Sequence, residues 1–287
     1  SIHDRQDGRG RMPECNRTAA GCEPSQVTRR RFLIQSASAL ALLATPQPLF
    51  SAVSRKGKEA LYYERIEGGA VRCLLCPKRC FIGPGKRGAC GVRENDNGTL
   101  ISLVYGEPCA IHLDPIEKKP FFHVLPGTGS FSLATVGCNL DCKFCQNWQI
   151  SQAAPEDART SFHSAASIAD RALSVGARSI AYTYGEPVVF SEYVQAIAAE
   201  GKKRGLASVV VSNGFINKQP LSDLCGLVEA IKIDLKAFTD DYYRKICNAE
   251  LKPVLDSISL IRSSVSLSTV SFGLFGGPLF KNGRLLL

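Results

Sequence analysis

Three cysteines in one short loop constrain the fold more than any other feature of the 287-residue sequence. Cys138, Cys142 and Cys145 have C-x-x-x-C-x-x-C spacing and directly follow an apolar, strand-like run at 131–136. Three thiolates at this spacing can hold three irons of a [4Fe-4S] cluster, and no fourth ligand is near in sequence. The loop therefore predicts a cluster with one open iron. A zinc site completed by a distant cysteine or histidine is the alternative, and disulfides rank lower.

The sequence after this loop alternates between strand-like and helix-like segments. Apolar runs rich in β-branched residues predict four buried parallel strands, at 131–136, 179–184, 207–211 and 230–233. Helical patterns cover 164–175 and 192–204, the second with Ser191 as its N-cap. Thr239 is placed to cap a further helix through Ile246. Repeated strand–helix units imply a parallel sheet, open or curled into a barrel, with its chemistry at the carboxyl ends of the strands.

Polar motifs follow the last three of these strands. A Tyr-Gly-Glu-Pro motif stands at 184–187, Ser-Asn-Gly stands at 212–214, and Asp234 and Lys236 close the fourth strand. Asp234 and Lys236 share one face of an extended segment, because strand side chains repeat every two residues. Each motif also has an ordinary structural interpretation, either as a turn before a helix or as an isolated ion pair.

Together these motifs resemble those of radical S-adenosylmethionine (SAM) enzymes. The resemblance covers roughly residues 60–260 and rests on the segments 138–148, 182–187, 212–214 and 234–238. Within that superfamily the chain is similar to the pyruvate formate-lyase activating enzyme-like branch and, inside it, to the radical SAM component of the AmmeMemoRadiSam system. The resemblance implies an α/β fold, a partial (β/α) barrel.

The resemblance also implies roles for individual residues. Cys138, Cys142 and Cys145 would hold a [4Fe-4S] cluster whose open iron binds SAM, and reductive cleavage of SAM would give a 5′-deoxyadenosyl radical. Phe144 would contact the adenine, with a core aromatic as the alternative, and Tyr184 stands where the family has glycine. No catalytic residue is assigned. The residues expected to bind SAM are Phe144, Gly185, Glu186, Ser212, Asn213, Asp234 and Lys236.

A second group of cysteines precedes the loop. Cys73, Cys76, Cys80 and Cys90 lie within 18 residues, among glycines that allow tight turns. Four thiolates at this spacing predict a second metal, either zinc or an Fe-S centre, with unligated thiols or a redox or disulfide pair as alternatives. Three further cysteines are expected to be buried, inert thiols: Cys109, Cys225 and Cys247. His112 and His123 are expected to be packed or surface histidines rather than ligands.

The N-terminal region has the pattern of an export leader. The segment 28–33 reads Thr-Arg-Arg-Arg-Phe-Leu and precedes an apolar, Ser/Ala-rich run that ends near Ala44. This pattern resembles a twin-arginine signal, which serves export of folded proteins. The run is about half of the roughly 20 residues that span a bilayer, so no transmembrane span is expected. A cytoplasmic location is the alternative, because the low-potential electron donor that such a cluster needs is usually found there.

The chain divides into four regions by composition. We expect a leader at 1–58, a Cys-rich segment at 59–125, the radical SAM core at 126–262 and a divergent tail at 263–287. The tail is rich in serine and leucine and lacks an evident strand–helix pattern. This composition predicts a barrel that is truncated at its C-terminus.

Composition and charge narrow the classes of partner. Hydrophobic residues make up 45% of the chain, which is typical of a globular protein. The net charge is +9, but outside the Arg-rich N-terminus basic residues alternate with acids, which argues against nucleic acid. The sequence predicts a SAM-cleaving radical enzyme that abstracts hydrogen from an unidentified substrate, with a protein glycyl site as one candidate. The alternatives are an Fe-S electron carrier that uses both cysteine groups and a zinc-stabilised interaction protein.

Overall fold

The computed structural model describes residues 57–264 and the strand backbones at 267–272, 280–281 and 284–285. The predicted leader, with its twin-arginine pattern, lies outside the described residues except for its last two. Across the described part of the chain, no helix has both the length and the apolar character needed to cross a bilayer.

The Cys-rich segment forms two small antiparallel sheets. The first sheet contains β2 (Tyr63–Arg65), β3 (Val71–Cys73) and β4 (Phe81–Ile82), and the second contains β1 (Lys58–Glu59), β6 (Thr99–Ser102) and β5 (Arg93–Asp96) in that spatial order. Asn97 and Gly98 connect β5 to β6, and both have positive φ, as a two-residue hairpin turn requires. Four of the cysteines lie on or between these strands.

A six-stranded sheet forms the centre of the molecule. Its strands are β7 (Ala110–Pro115), β8 (Gly129–Ala134), β9 (Ser179–Tyr182), β10 (Ala207–Ser212), β11 (Ala230–Leu235) and β12 (Leu267–Phe272). Their order in space is their order in the chain. Strands β8 to β12 run parallel, and β7 pairs antiparallel with β8. Parallel strands in sequential order are typical of barrel-type sheets, so the predicted α/β fold with a partial (β/α) barrel is confirmed. A separate hairpin contains β13 (Phe280–Lys281) and β14 (Arg284–Leu285).

Six α-helices lie between and after the strands in the described residues. They are α1 (Trp148–Ser151), α2 (Ala165–Ser174), α3 (Ser191–Lys203), α4 (Lys218–Cys225), α5 (Asp240–Cys247) and α6 (Leu251–Ser264). The Thr239 side chain accepts the N–H of Tyr242 at 3.4 Å, so the predicted cap of α5 is confirmed. The N-cap predicted at Ser191 is wrong. The 3-10 turn Pro187–Phe190 runs directly into α3, which makes Ser191 the first helical residue.

The two faces of the central sheet pack differently. Residues such as Ile180 and Val210 pack with the apolar faces of the helices in the main core. The opposite face carries small residues and is covered by the segment between β7 and β8. This second cluster contains Ala181, Val209, Ala230, Ile116, Phe121 and Val124. Because side chains cover both faces of the sheet, we expect a binding site at the carboxyl ends of its strands.

Two features of the fold differ from the sequence analysis. Ala110–Pro115 was expected within the Cys-rich segment, but it pairs with the first parallel strand over six residues. The strand–helix pattern was expected to stop after residue 262, and this expectation is wrong. Helix α6 continues to Ser264, and β12 then adds a fifth parallel strand beside β11. The serines of β12 obscured its pattern, although its threonine, valine and phenylalanine favour strands.

Candidate active site

The predicted motifs converge at the carboxyl edge of the central sheet. The cysteine loop at 138–145 follows β8, and the Tyr-Gly-Glu-Pro motif follows β9. Ser-Asn-Gly begins at the end of β10, and Lys236 follows β11 directly. Parallel strands place their carboxyl ends together, so residues that are distant in sequence meet at one site. This convergence was predicted and is present.

The three loop cysteines are free and partly buried. The sulfur of Cys138 accepts the backbone N–H of Leu140 at 3.4 Å and the side-chain amide of Asn213 at 3.8 Å. The sulfur of Cys145 lies 3.2 Å from the hydroxyl of Ser151. Hydrogen bonds to sulfur are a means by which proteins tune Fe-S clusters. Three free thiols in one loop, with donors directed at their sulfurs, therefore fit a [4Fe-4S] cluster.

A zinc site would need a fourth Cys, His, Asp or Glu ligand beside this loop. Among residues 57–264, no group of three or more such side chains is arranged to hold a metal ion. In the metal-free protein, burial raises the pKa of Cys138, and the nearby Glu186 carboxylate raises it further. Binding of a metal would therefore displace a proton from this thiol.

A fourth cysteine lies beside the loop. The Cys142 side chain forms a hydrogen bond with that of Cys247, which is buried at the end of α5. The N–H groups of Asp141 and Lys143 donate to the carbonyls of Cys247 and Ile246, each at 3.0 Å. The end of α5 thus supports the cluster loop. The expectation that Cys247 is buried holds, but no sequence signal indicated its contact with Cys142.

Glu186 is buried and connects two strand ends. Its carboxylate accepts the N–H of Val188 at 3.0 Å, the hydroxyl of Ser212 at 2.7 Å and the N–H of Asn213 at 2.8 Å. Burial raises the pKa of Glu186 in spite of these three hydrogen bonds. The side chain is only 3% exposed, so its clearest role is to position the segment after β9 against the segment after β10. Direct contact of Glu186 with SAM stays a prediction.

Ser212 and Asn213 are likewise held within the protein. The Ser212 hydroxyl donates to Glu186 and accepts the N–H of Gly214 at 3.1 Å. The Asn213 side-chain amide donates to the Asn139 side chain at 2.9 Å, in addition to its contact with Cys138. These contacts connect β10 to the cluster loop. The predicted contacts of both residues with SAM remain predictions.

The backbone of the Tyr-Gly-Glu-Pro motif is left-handed where the sequence departs from the resembled pattern. Tyr184 has φ of 63°, a left-handed conformation that favours glycine, which the family has at this position. Gly185 has no room for a side chain, because a Cβ would lie 2.9 Å from the carbonyl oxygen of Thr135. The motif therefore packs directly against the start of the cluster loop.

A buried polar group compensates for the unusual conformation of Tyr184. The Tyr184 hydroxyl donates to Asp114, which also pairs with Lys119 at 2.7 Å. The Lys119 ammonium lies 4.1 Å from the centre of the Tyr184 ring, and His112 packs edge-on against the same ring at 5.7 Å. Burial alone would raise the pKa of Asp114, but hydrogen bonds from Lys119 and Tyr184 outweigh it and hold that pKa well below its usual range. No local sequence pattern indicated this group, because its members come from separate segments.

Asp234 lies near the end of β11, and Lys236 follows that strand directly, so the two side chains meet as predicted. The Lys236 Nζ lies 3.5 Å from an Asp234 carboxylate oxygen, and Lys232, two residues earlier, also pairs with Asp234. Burial alone would lower the pKa of Lys236, but Asp234, Cys142 and Glu186 outweigh it and raise that pKa. A charged lysine therefore lies beside the cluster loop. Lys232 was missed, although the Lys-x-Asp-x-Lys spacing was visible in the sequence.

Phe144 lies at the surface of the site. Its side chain is 40% exposed, and its ring lies 6.0 Å from that of Tyr242 on α5. The alternative of a core aromatic is therefore excluded. An exposed aromatic face beside the last cluster cysteine is free to stack on a planar group.

The sequence was also compared with models of protein families. Residues 132–279 match the model of the Radical SAM superfamily. The matched region is about half of the chain and includes the cluster loop and every strand-end motif. The chain belongs to the radical SAM superfamily. Enzymes of this superfamily use SAM-cleaving radical chemistry, and membership implies a [4Fe-4S] cluster and SAM as cofactors.

Two proteins are similar to this chain in sequence over part of its length. An uncharacterized protein of Methanocaldococcus jannaschii is 41% identical over 205 residues, which are 71% of this chain and 61% of the relative. The GTP 3′,8-cyclase of Geobacter sulfurreducens is 30% identical over 125 residues, which are 42% of this chain and 38% of the cyclase. The chain thus spans less than two thirds of the length of either relative.

Solved structures are similar to this chain only with low TM-scores and low sequence identity. A structure of TYW1 with a lysine-pyruvate adduct bound has 18% identity and a TM-score of 0.38, over 56% of this chain and 64% of that one. QueE from Escherichia coli has 10% identity and a TM-score of 0.36, over 59% of this chain and 84% of that one. These scores add nothing to the family assignment.

Proposed function

We propose that this chain abstracts a hydrogen atom from a substrate held at the carboxyl edge of its central sheet. Cys138, Cys142 and Cys145 would be the three protein ligands of the cluster. When bound, the cluster and SAM supply one electron and a sulfonium group, whose C–S bond breaks to give methionine and a 5′-deoxyadenosyl radical. The observation that carries this proposal is the convergence of three free thiols with Lys236 and Glu186 at one edge of the sheet.

The residues around the loop have distinct parts in this proposal. Lys236 would bind the SAM carboxylate, because it is a charged lysine beside the cluster loop. Asp234 would orient Lys236 through their ion pair and attract the SAM ammonium group. Phe144 would stack on the adenine with its exposed face. Glu186 would hold the ends of β9 and β10 in register beneath these contacts.

The proposed substrate is a protein. The motifs resemble the pyruvate formate-lyase activating enzyme-like branch and the AmmeMemoRadiSam component, which favours a protein substrate such as a glycyl site. Large apolar side chains next to the motifs are exposed, including Trp148 at 60% and Phe238 at 52%. Exposed aromatic residues beside a site are typical of protein recognition. A low-potential electron donor would be the second partner.

Iron analysis combined with SAM cleavage tests the proposal. We expect the anaerobically reconstituted full chain to form 5′-deoxyadenosine from SAM after reduction with dithionite. Replacing Cys138, Cys142 and Cys145 together by alanine should remove about four irons and abolish this product. The Cys225→Ala variant, which changes a buried cysteine of α4 outside both groups, is the matched control and should keep both properties.

Two outcomes would contradict the proposal. A reconstituted protein that cycles electrons without cleaving SAM would be an electron carrier. Loss of about four irons in a Cys247→Ala variant would make Cys247 the fourth ligand and close the open iron position. We expect the Cys247→Ala variant to keep its iron, because Cys247 contacts Cys142 only as a hydrogen-bond partner.

A further inference from the structure

The four cysteines of the N-terminal group line one small cavity. Cys73, Cys76, Cys80 and Cys90 surround it, and all four are free thiols. They come from β3, from the turn between β3 and β4, and from the loop before β5. The two small sheets therefore bring together sulfurs that the sequence places in separate turns. Neither the family match nor the relatives assign a role to this cavity.

The four side chains limit which metal centres could occupy the cavity. Four thiolates are a common donor set both of structural zinc and of [4Fe-4S] clusters. Among the described residues, no three Cys, His, Asp or Glu side chains form a group arranged to hold a metal ion. The cavity adjoins the loop at 138–145, where a second redox centre would have a use that zinc would not, and this position favours the cluster. Zinc is the competing outcome of the test below.

Cationic groups and hydrogen-bond donors line the cavity. Lys78 and the buried Arg93 are both in its lining, and Arg93 is also ion-paired with the buried Glu192. An Arg93 Nη1 lies 4.0 Å from the sulfur of Cys73, and the N–H of Ala89 donates to the sulfur of Cys80 at 3.4 Å. The Nε of Arg93 is buried and has no acceptor within the described chain. Hydrogen bonds to sulfur and a nearby cation stabilise a cluster held by thiolates.

The cavity shares a wall with the cluster loop. Asn139, the residue after Cys138, lines the cavity. Its side chain accepts the amide of Asn213, which also donates to the sulfur of Cys138. On the other side of Cys138, a Cβ at Gly137 would lie 2.9 Å from the carbonyl oxygen of Cys90. The residues on both sides of Cys138 thus contact the second cysteine group.

We propose that Cys73, Cys76, Cys80 and Cys90 hold a second [4Fe-4S] cluster that passes single electrons to the cluster at Cys138, Cys142 and Cys145. A reduced low-potential carrier protein, of the flavodoxin or ferredoxin class, gives one electron to the second cluster. The second cluster passes this electron to the first and returns to its oxidised state, and no atom is transferred. The site stands on its own, whereas the electron transfer rests on the proposed function.

Metal content of the triple Cys138, Cys142 and Cys145→Ala variant tests the site without any catalysis. We expect this variant to retain about four irons and about four sulfides per chain. After reduction, its electron paramagnetic resonance signal should not change when SAM is added, because all four irons have cysteine ligands. Further replacement of Cys73 and Cys76 by alanine should remove that iron, while further replacement of Cys225 should not. A triple variant that contains zinc and no iron, or no metal, would overturn the proposal.

A single-turnover measurement tests the electron transfer in the unaltered chain. The reconstituted protein is reduced with dithionite, freed of reductant and mixed with excess SAM. If the second cluster feeds the first, the yield of 5′-deoxyadenosine should approach about two per chain, normalised to iron content. A yield that stops at about one would show that the second cluster does not feed the first. A yield of zero would instead contradict the proposed SAM cleavage itself.

Discussion

The Glu186 carboxylate joins two strand ends through hydrogen bonds that depend on its being an acceptor. Two of its three donors are backbone N–H groups, from Val188 and Asn213. An amide in its place would direct an NH₂ group at one of these donors or at Ser212. A buried donor would then lack a partner, which costs about 1–3 kcal/mol. The residues after β9 and β10 would lose their relative register.

We therefore predict that Glu186→Gln weakens SAM binding and lowers the free energy of unfolding by about 1–3 kcal/mol. The iron content should not change, because Glu186 binds no iron in our proposal. Calorimetric titration with SAM and chemical denaturation measure the two effects. The control Glu200→Gln changes a glutamate in surface ion pairs and should leave SAM binding and stability nearly unchanged. Loss of iron in Glu186→Gln would instead assign Glu186 to the support of the cluster loop.

Asp114 provides a pH-dependent test of the group that holds Tyr184. Its pKa is lowered in the folded protein, so its contribution to stability is present above the ordinary aspartate value and is lost as the pH falls. We predict that Asp114→Asn lowers the free energy of unfolding by about 3 kcal/mol near neutral pH, because Lys119 stays buried without its partner.

The difference between Asp114→Asn and the unaltered chain should shrink as the pH falls below about 4, since protonated Asp114 resembles asparagine. Melting temperatures across this range provide the measurement. Asp170→Asn is the matched control. It also removes an ion pair, with Arg204, but the Asp170 side chain is 65% exposed. A difference for Asp114→Asn that stays constant with pH would contradict a charge-dependent role.

Residues of the site could be predicted from the sequence only where their spacing along the chain indicated that they lie together. The cysteine loop and the pairing of Asp234 with Lys236 follow from spacing along the chain, and both are present. Cys247 and Asp114 could not be predicted, because their contacts with Cys142 and Tyr184 depend on how separate elements pack. Propensity and periodicity describe neighbours in sequence, whereas these pairs are neighbours only in the folded protein.

At the scale of elements, β12 covers the edge of β11, the strand that carries Lys232 and Asp234. It pairs with all six residues of β11, from Ala230 to Leu235. Without β12, the strand that carries Asp234 would become the edge of the sheet. An exposed edge of an apolar parallel strand loses backbone hydrogen bonds and is prone to aggregation.

We predict that a chain ending at Ser264 is less soluble and melts at a lower temperature than the full chain. A chain ending at Phe272 is the matched control, because it keeps β12 and removes the hairpin of β13 and β14, which pair only with each other among the described strands. Thermal melting and the soluble fraction after expression are the measurements. Equal behaviour of the two shortened chains would mean that β12 contributes little to stability.

The parallel strands were the most predictable elements, because each is a continuous apolar run of the length that a buried strand needs. Strand β7 was not predicted, since half of its residues face the surface and it ends in proline. Strand β12 was not predicted either, because Ser268 and Ser271 interrupt its apolar residues. In both cases pairing with a neighbouring strand determines the structure, and a single segment does not reveal its partner.

At the scale of the whole molecule, the leader and the cofactor chemistry favour different cellular locations. The twin-arginine pattern at 28–33 predicts export after folding, which would allow clusters to be inserted first. The proposed chemistry needs a low-potential electron donor, which is usually cytoplasmic. We propose that the leader acts as an export signal, so that the donor for this protein would lie outside the cytoplasm.

We predict that residues 1–58, fused to a reporter protein that fluoresces after folding, carry the reporter across the bacterial inner membrane. Replacing Arg29 and Arg30 by lysine should retain the reporter inside, because this export route reads the arginine pair and not the charge alone. Replacing Arg5 and Arg9 by lysine is the matched control and should leave export unchanged. Cell fractionation followed by fluorescence gives the distribution. If the reporter stays inside with the unaltered leader, the segment is not an export signal, and the proposed enzyme would draw its electrons from a cytoplasmic carrier.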